Sequence, residues 1–530
     1  MSAATETAPD QVEVASLSDF NDNPAFLIPS PIEVFLLVAA GWAGACFMLM
    51  VASDRIMLRI MRFSSVVANL ISDIDLVTVL PVLVVGGLAG IGFAFWVLSR
   101  SDKWFISVVF LAFAFGDCTW VPLHYVAMYF KYMAIAYLGS FGVFFVYRNW
   151  NRIRQRIHWL MIFYLLWMAF VVYLYGMRTN GNVHVAIQFA IIVAFCIGWM
   201  SRIDNYKKLM DFNFTLAYVA IAVTCLHAIS PLTGVTVFAD GRFISMFRNA
   251  TGYSTTYALF VVCLIWLALA HPTKVMRNVA TVFAIAGFGM VLLSGTRNAS
   301  AAVVCAIILL SITFRSKLIW YALGIGGFLG AVIFLVLSSS TTEVTSEAGR
   351  LGTITNTRLD VWTAYFFSIW DHPFIGYGPG GHSGAFFGAK VQEFADIYTG
   401  MAFAPAVHNA ILAQAVSYGL VGLGLFLSIF VYAFWHAKDI VLDTERRIPQ
   451  EYKVALAMPL AILVTLFLEG AFEDNFGTTR GSVDYLLFYS TALLVGLFAK
   501  RFGKDAAERL DADASESVSG VASPRKLVRI

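Results

Sequence analysis

Fourteen apolar runs divide this sequence, at 32–52, 76–98, 104–118, 122–147, 159–175, 183–200, 209–229, 252–270, 277–294, 298–314, 318–338, 409–436, 454–472 and 482–499. A helix rises ~1.5 Å per residue, so about twenty apolar residues cross a hydrocarbon core of roughly 30 Å. Most of the runs approach or exceed that length. The pattern predicts an all-α polytopic membrane protein with about 12–14 transmembrane helices. Composition agrees: 59% of residues are hydrophobic and 13% charged, roughly half the charge of an ordinary soluble domain. A net charge of +3, with no basic stripe interleaved with aromatics, excludes nucleic acid as a partner.

One long segment is neither an apolar run nor a short turn. It lies at 339–408, between the eleventh and twelfth candidate spans, and reads as a large periplasmic loop. The remaining divisions are a disordered N-terminal arm at 1–30, a transmembrane bundle at 31–338, C-terminal transmembrane helices at 409–499 and a charged, disordered cytoplasmic tail at 500–530. The first thirty residues are acidic and lack the basic stretch of a signal peptide. The six cysteines sit in or beside apolar runs without Cys-x-x-Cys spacing, as small core residues do, and suggest neither a metal site nor a disulfide framework.

Lys and Arg in short loops set the orientation. Arg148 to Arg156, Arg202 to Lys208, Lys274 with Arg277, Arg315 with Lys317, Lys438 to Lys453 and Lys500 to Lys504 alternate two spans apart. Residues 231–251, 295–298, 339–408 and 473–481 are then external. Arg55, Arg59 and Arg62 break the parity: either 104–118 does not span, or these arginines lie outside.

Arginines on the external side run against the insertion bias. Arg297 sits in the short turn Ser294-Gly295-Thr296-Arg297 between two runs, close to the hydrocarbon boundary, where a charge needs a partner or a wet cavity. Its plainer reading is a snorkelling side chain. Arg242 and Arg248 lie in a Gly/Asn-containing loop immediately before a helix, and guanidinium groups beside a helix N-terminus suit a phosphate; an ordinary solvated loop is the alternative. His408 stands at the entry to a long apolar helix, where the helix dipole disfavours imidazolium and leaves a neutral base. A capping role is the alternative there, for it or for Asn409. The run Gly376-Tyr377-Gly378-Pro379-Gly380-Gly381 lacks the Gly-Lys-Ser/Thr of a P-loop but allows a tight turn over a ligand. His382 after it can face substrate. Glu469, Glu473 and Asp474 lie at the external end of their span. Lys131 and Asp117, within apolar runs, are a structural pair.

Together these residues resemble the O-antigen ligase and polysaccharide polymerase superfamily across roughly 235–430. The Arg242 loop, the Ser-Gly-Thr-Arg297 turn, the Arg358…Trp362…Asp371-His372-Pro373…Gly376-Tyr377-Gly378-Pro379-Gly380 pattern and His408-Asn409…Leu412…Gly419-Leu420-Val421-Gly422 carry it in that order. The family's Asn-Pro-Asn-like turn is replaced by Asn249-Ala250-Thr251. The resemblance implies a multi-pass enzyme of the bacterial inner membrane with its active site facing the periplasm. It would be a glycosyltransferase whose donor is a glycan on undecaprenyl diphosphate and which uses neither metal nor cofactor. By the same resemblance Arg242, Arg297 and Arg358 would bind the donor diphosphate, and His408 would deprotonate the acceptor. Arg248, Asn409, Gly378, Gly380, His382 and Glu469 are further candidates for substrate contact.

The leading expectation is an exopolysaccharide or O-antigen polymerase. The alternative is a ligase moving finished glycan to lipid A core, and either would work with other polysaccharide assembly or export proteins. A transporter of polysaccharide or lipid-linked sugar ranks below both. No internal repeat is visible, and the polar residues gather at the external boundary instead of mid-membrane.

Overall fold

A computed structural model of the chain describes residues 102–116, 118–124, 126–128, 130, 131, 134, 146, 153, 155–175, 184, 185, 187–239, 242–247, 250–316, 361–379, 407–441, 448–473 and 483–518. The arm at 1–30, the expected spans 32–52, 76–98 and 318–338, and most of 122–147 lie outside these residues. So do Asp117, Arg248, Arg358, Gly380 and His382.

The described residues build a helical bundle with one two-residue-stranded hairpin. Helix α1 is Asp102–Phe115, α2 Arg156–Leu174, α3 Ile187–Arg202, α4 Tyr206–Ala228, α5 Ala250–Ala270, α6 Lys274–Leu293 and α7 Arg297–Phe314. A short helix, α8, covers 361–369; α9 is Ala410–Val441, α10 Gln450–Gly470 and α11 Val483–Val518. Strands β1 (Phe238–Ala239) and β2 (Arg242–Phe243) pair antiparallel between α4 and α5. Among the described residues eight helices are long and apolar enough to cross a bilayer: α2, α4, α5, α6, α7, α9, α10 and α11.

Within the described residues the apolar run at 104–118 forms a helix of 14 residues, Asp102–Phe115, about 21 Å long. One sequence expectation meets a different outcome. The tail expected to be disordered from Lys500 continues α11 as helix to Val518. Its Ala, Glu, Arg and Leu residues are strong helix formers that extend a helix already nucleated by packing.

The centre of the bundle is α5, α10 and the 483–503 part of α11, whose side chains are mostly buried. Polar side chains in the bundle bond to neighbouring backbones: Asn213 Nδ2 to Ala455 O at 2.8 Å, Trp266 Nε1 to Val454 O at 2.9 Å and Gln450 Nε2 to Thr313 O at 2.7 Å. Helix α6 is peripheral. It buries only Ala280, Ala284, Gly287 and Val291 and exposes Val282, Ile285, Leu292 and Leu293. The small stripe lets α6 approach α5 closely, as small residues do between membrane helices.

Helix α9 is broken at Gly419 (φ 69°, ψ −177°), and the turn after α8 fills the break. Leu420 N donates to Pro373 O (2.7 Å), Tyr377 N to Val416 O (2.7 Å) and Gly378 N to Ser417 O (3.0 Å). The loop thereby takes bonds that a continuous helix would make with itself. Contact is backbone on backbone: a Cβ on Gly419 would lie 2.1 Å from Phe374 O, and one on Gly376 2.5 Å from Val416 O. From the side, the Tyr175 hydroxyl donates to Gly376 O and Trp167 Nε1 to Tyr418 O (2.8 Å). Burial, followed by the charge of Asp371, pushes the Tyr377 phenol up to about 12. It remains a donor to Asp371 Oδ2 at 3.4 Å.

Candidate active site

Helices α4, α6 and α10 finish, and α5, α7, α9 and α11 begin, at one end of the bundle. Two groups of polar residues lie there.

The first is built on the α6–α7 turn. Phe238 and Ala239 pair with Phe243 and Arg242, and Ile244 N returns to Val237 O at 2.8 Å. This hairpin aims Arg242 at the turn. Its Nε donates to Ser294 O at 2.7 Å and its Nη2 to Thr296 Oγ1 at 2.9 Å. A guanidinium at the C-terminal carbonyls of α6 also complements the helix dipole. Thr296 is the N-cap of α7; its hydroxyl accepts from Arg242 and makes no capping bond. Among the described residues the first N–H groups of α7 meet no side-chain acceptor. Arg297 follows as the first helical residue, exposed, and makes no hydrogen bond or ion pair among the described residues. Beside it, Asn298 Nδ2 is buried with no hydrogen-bond partner among the described residues. Donors crowd this turn: a guanidinium, an amide and open helix N–H groups, the set an anionic diphosphate requires.

The second group is built on the entry to α9. Asn409 caps the helix through Leu412 N (2.9 Å) and ties it to α10 through Nδ2 to Ala471 O (2.9 Å). Trp362 Nε1 holds Val407 O at 2.7 Å. Between these anchors His408 adopts φ 48°, a left-handed conformation that costs a non-glycine residue about 1 kcal/mol or more. Its Nδ1 lies 3.1 Å from Glu473 Oε2; the imidazole is 45% exposed and the carboxylate 5%. The backbone of Glu473 is fixed by its N–H to Glu469 O at 2.8 Å.

Glu469 is fully buried beside Asp484 and Glu473, and neither of its carboxyl oxygens has a hydrogen-bond partner among the described residues. Asp484 Oδ1 in turn accepts from Thr256 Oγ1 at 3.3 Å. This links the entries of α5 and α11 to the acidic end of α10.

The structure thus brings Arg242 to the Arg297 turn, and His408 to Asn409 and Glu473. Gly378, expected beside a ligand, packs against the Tyr175 ring and the broken α9. Glu473 was a minor element of the sequence reading. Its signal was the i, i+4 pair Glu469…Glu473 at the end of an apolar run. Asn298 was missed, although it adjoins Arg297 in the same turn. Lys131 is buried with its ammonium 5.3 Å from the Phe113 ring centre.

Residues 280–427 match the O-antigen ligase family. Over that stretch the chain is similar to O-antigen ligases. No curated protein matches the chain. The matched segment runs from α6 through the Arg297 turn and α8 to His408 and past Gly422. It contains both Gly376 and Gly419, and leaves Arg242 and Glu473 outside. The family match and the eight apolar helices point to a multi-pass bacterial membrane protein that processes glycan, and the matched family implies a lipid-linked glycan donor and a glycan acceptor.

Proposed function

We propose that the protein is a metal-independent glycosyltransferase at the periplasmic face of the inner membrane. It transfers glycan from undecaprenyl diphosphate and polymerises lipid-linked repeat units of an exopolysaccharide or O-antigen. The His408–Glu473 pair carries this reading: a half-exposed imidazole held through Nδ1 by a buried carboxylate. An Nδ1–H donated to Glu473 leaves the Nε2 lone pair open to the acceptor hydroxyl.

The acceptor oxygen attacks the anomeric carbon as its proton passes to His408 Nε2. The bond from that carbon to the diphosphate oxygen breaks, and undecaprenyl diphosphate leaves with the bonding pair. Arg297, Asn298 Nδ2 and the open N–H groups of α7 receive the charge on the leaving diphosphate. Arg242 shapes the turn that presents them. Direct displacement inverts the anomeric configuration. Arg358, Arg248, Gly380 and His382 remain candidates for substrate contact in this scheme. The description of the matched family favours a second reading, transfer of finished glycan to lipid A core, with the same donor and base.

The test is the size distribution of secreted polysaccharide and of lipopolysaccharide in a deletion strain. Loss of high-mass secreted polysaccharide, with single lipid-linked repeats and normal lipopolysaccharide, is expected of a polymerase. Long glycan retained on undecaprenyl diphosphate and absent from lipid A core establishes the ligase. No change in either refutes glycan transfer.

A further inference from the structure

Helix α8 keeps its aromatic residues on the outside. It buries Val361, Ala364, Tyr365 and Ile369 against Val407 and the first turns of α9. Phe366, Phe367 and Trp370 turn outward at 52%, 52% and 59% exposure, and Phe374 in the next turn is 70% exposed. Much of the backbone beneath them is paired. The N–H groups of Trp370, Asp371, His372, Gly376, Tyr377 and Gly378 all reach carbonyl oxygens. A segment in water has no need of this, whereas irregular backbone at the edge of a bilayer does.

The neighbour of this segment is α2. Its outer face carries Phe163, Leu166, Phe170 and Tyr173, all exposed and spaced three or four residues apart. Such a stripe on a crossing helix faces lipid. Helix α2 ends at Leu174, and the next residue, Tyr175, donates its hydroxyl to Gly376 O and lays its ring on Gly378. The segment that carries the exposed aromatics is thus tied through Gly376 and Gly378 to the end of α2, at the level where that helix leaves the bilayer. Aromatic residues concentrate at that level, and helices with one apolar face lie in it.

We infer that 361–374 is an interfacial element, seated in the headgroup boundary on the His408 side. Phe366, Phe367, Trp370 and Phe374 are immersed among lipid acyl chains, and the partner is membrane lipid itself. Part of the segment read from sequence as an aqueous loop therefore belongs to the membrane surface. This holds whichever glycan reaction the enzyme performs.

The test places the photoreactive residue benzoylphenylalanine at Phe367, and separately at Phe163, in the full chain in vesicles of phosphatidylethanolamine and phosphatidylglycerol. Irradiation is expected to give lipid adducts by mass spectrometry at both positions. Adducts at Phe163 with none at Phe367 overturn the inference, as does a covalent dimer at Phe367, which marks a contact between copies. Quenching by lipids brominated near the headgroup supplies a second measurement. Trp370→Phe is expected to remove a quenched component of the fluorescence, and unchanged quenching overturns the inference.

Discussion

Replacing Gly419 with alanine puts a methyl group where the loop backbone already is. The new Cβ would lie 2.1 Å from Phe374 O and 2.2 Å from Phe374 C, both backbone atoms without rotamers to yield. At φ 69° and ψ −177° alanine also occupies a region open essentially to glycine alone, at about 1–3 kcal/mol. If the loop withdraws, the bonds from Leu420 N, Tyr377 N and Gly378 N are lost, about 1 kcal/mol each. Together these amount to about 4–6 kcal/mol, a large part of the 5–15 kcal/mol that holds an ordinary domain. Gly424 supplies the internal control: it lies on the same helix, and a Cβ there meets nothing within 4 Å. Gly424→Ala should be neutral or stabilising by up to about 1 kcal/mol. The assay is thermal unfolding of the purified proteins in detergent, paired with glycan size in cells. Gly419→Ala is expected to melt about 5–10 °C lower and to lose glycan transfer. Gly424→Ala should match the parent in both. A Gly419→Ala protein with parental melting and glycan would refute the backbone lock.

Three further outcomes follow from the site. Glu473→Gln should lower the turnover rate about 100-fold or more, because an amide no longer selects the Nδ1–H tautomer. Glu473→Asp should recover part of it, and equal rates for Gln and Glu would remove Glu473 from the mechanism. Arg297→Lys should reduce transfer at least about 10-fold with normal accumulation in the membrane, since an ammonium lacks the guanidinium fork; Asn298→Ala should weaken donor binding through KM. The third outcome concerns pH. With the Tyr377 phenol pushed up to about 12, the protonated form is favoured by folding. Its contribution is then full below the ordinary phenol value of about 10 and lost as pH climbs from there to about 12. Melting temperature should fall less steeply across that window in Tyr377→Phe, and identical slopes would show that the phenol is not coupled to folding.

The membrane bundle was legible because a crossing helix needs length and apolarity, and both are written residue by residue. The turn at Arg297 was legible for a similar reason: a charge between two apolar runs is conspicuous. The links across the sequence were not legible. Nothing local to Arg242 announces that its fork closes on Ser294 and Thr296, 52 and 54 residues away. Nothing local to His408 points to Glu473 65 residues later. The glycine motif signals close backbone approach, and what Gly376 and Gly378 approach, α9, is again distant in sequence. Periodicity also failed at the tail, where polar helix formers continue α11 with no apolar stripe to announce them.

The lock and the base are two ends of one short piece. Residues 410–418 form the first part of α9, about 13 Å long. Asn409, Trp362 and Glu473 fix one end, and the backbone exchange at Gly419 fixes the other. A rigid segment held at both ends places the imidazole relative to the bundle, so damage at the far end should reach His408. Gly376→Ala and Gly419→Ala strike the same contact from opposite sides, since a Cβ on Gly376 would also meet Gly419 N at 2.6 Å. Once either substitution has expelled the loop, the other has little left to break. The double variant should therefore fall short of the summed single effects by the three lost hydrogen bonds, about 3 kcal/mol of coupling. Additive unfolding energies would show that the glycines act separately and that the segment carrying His408 is not held from Gly419.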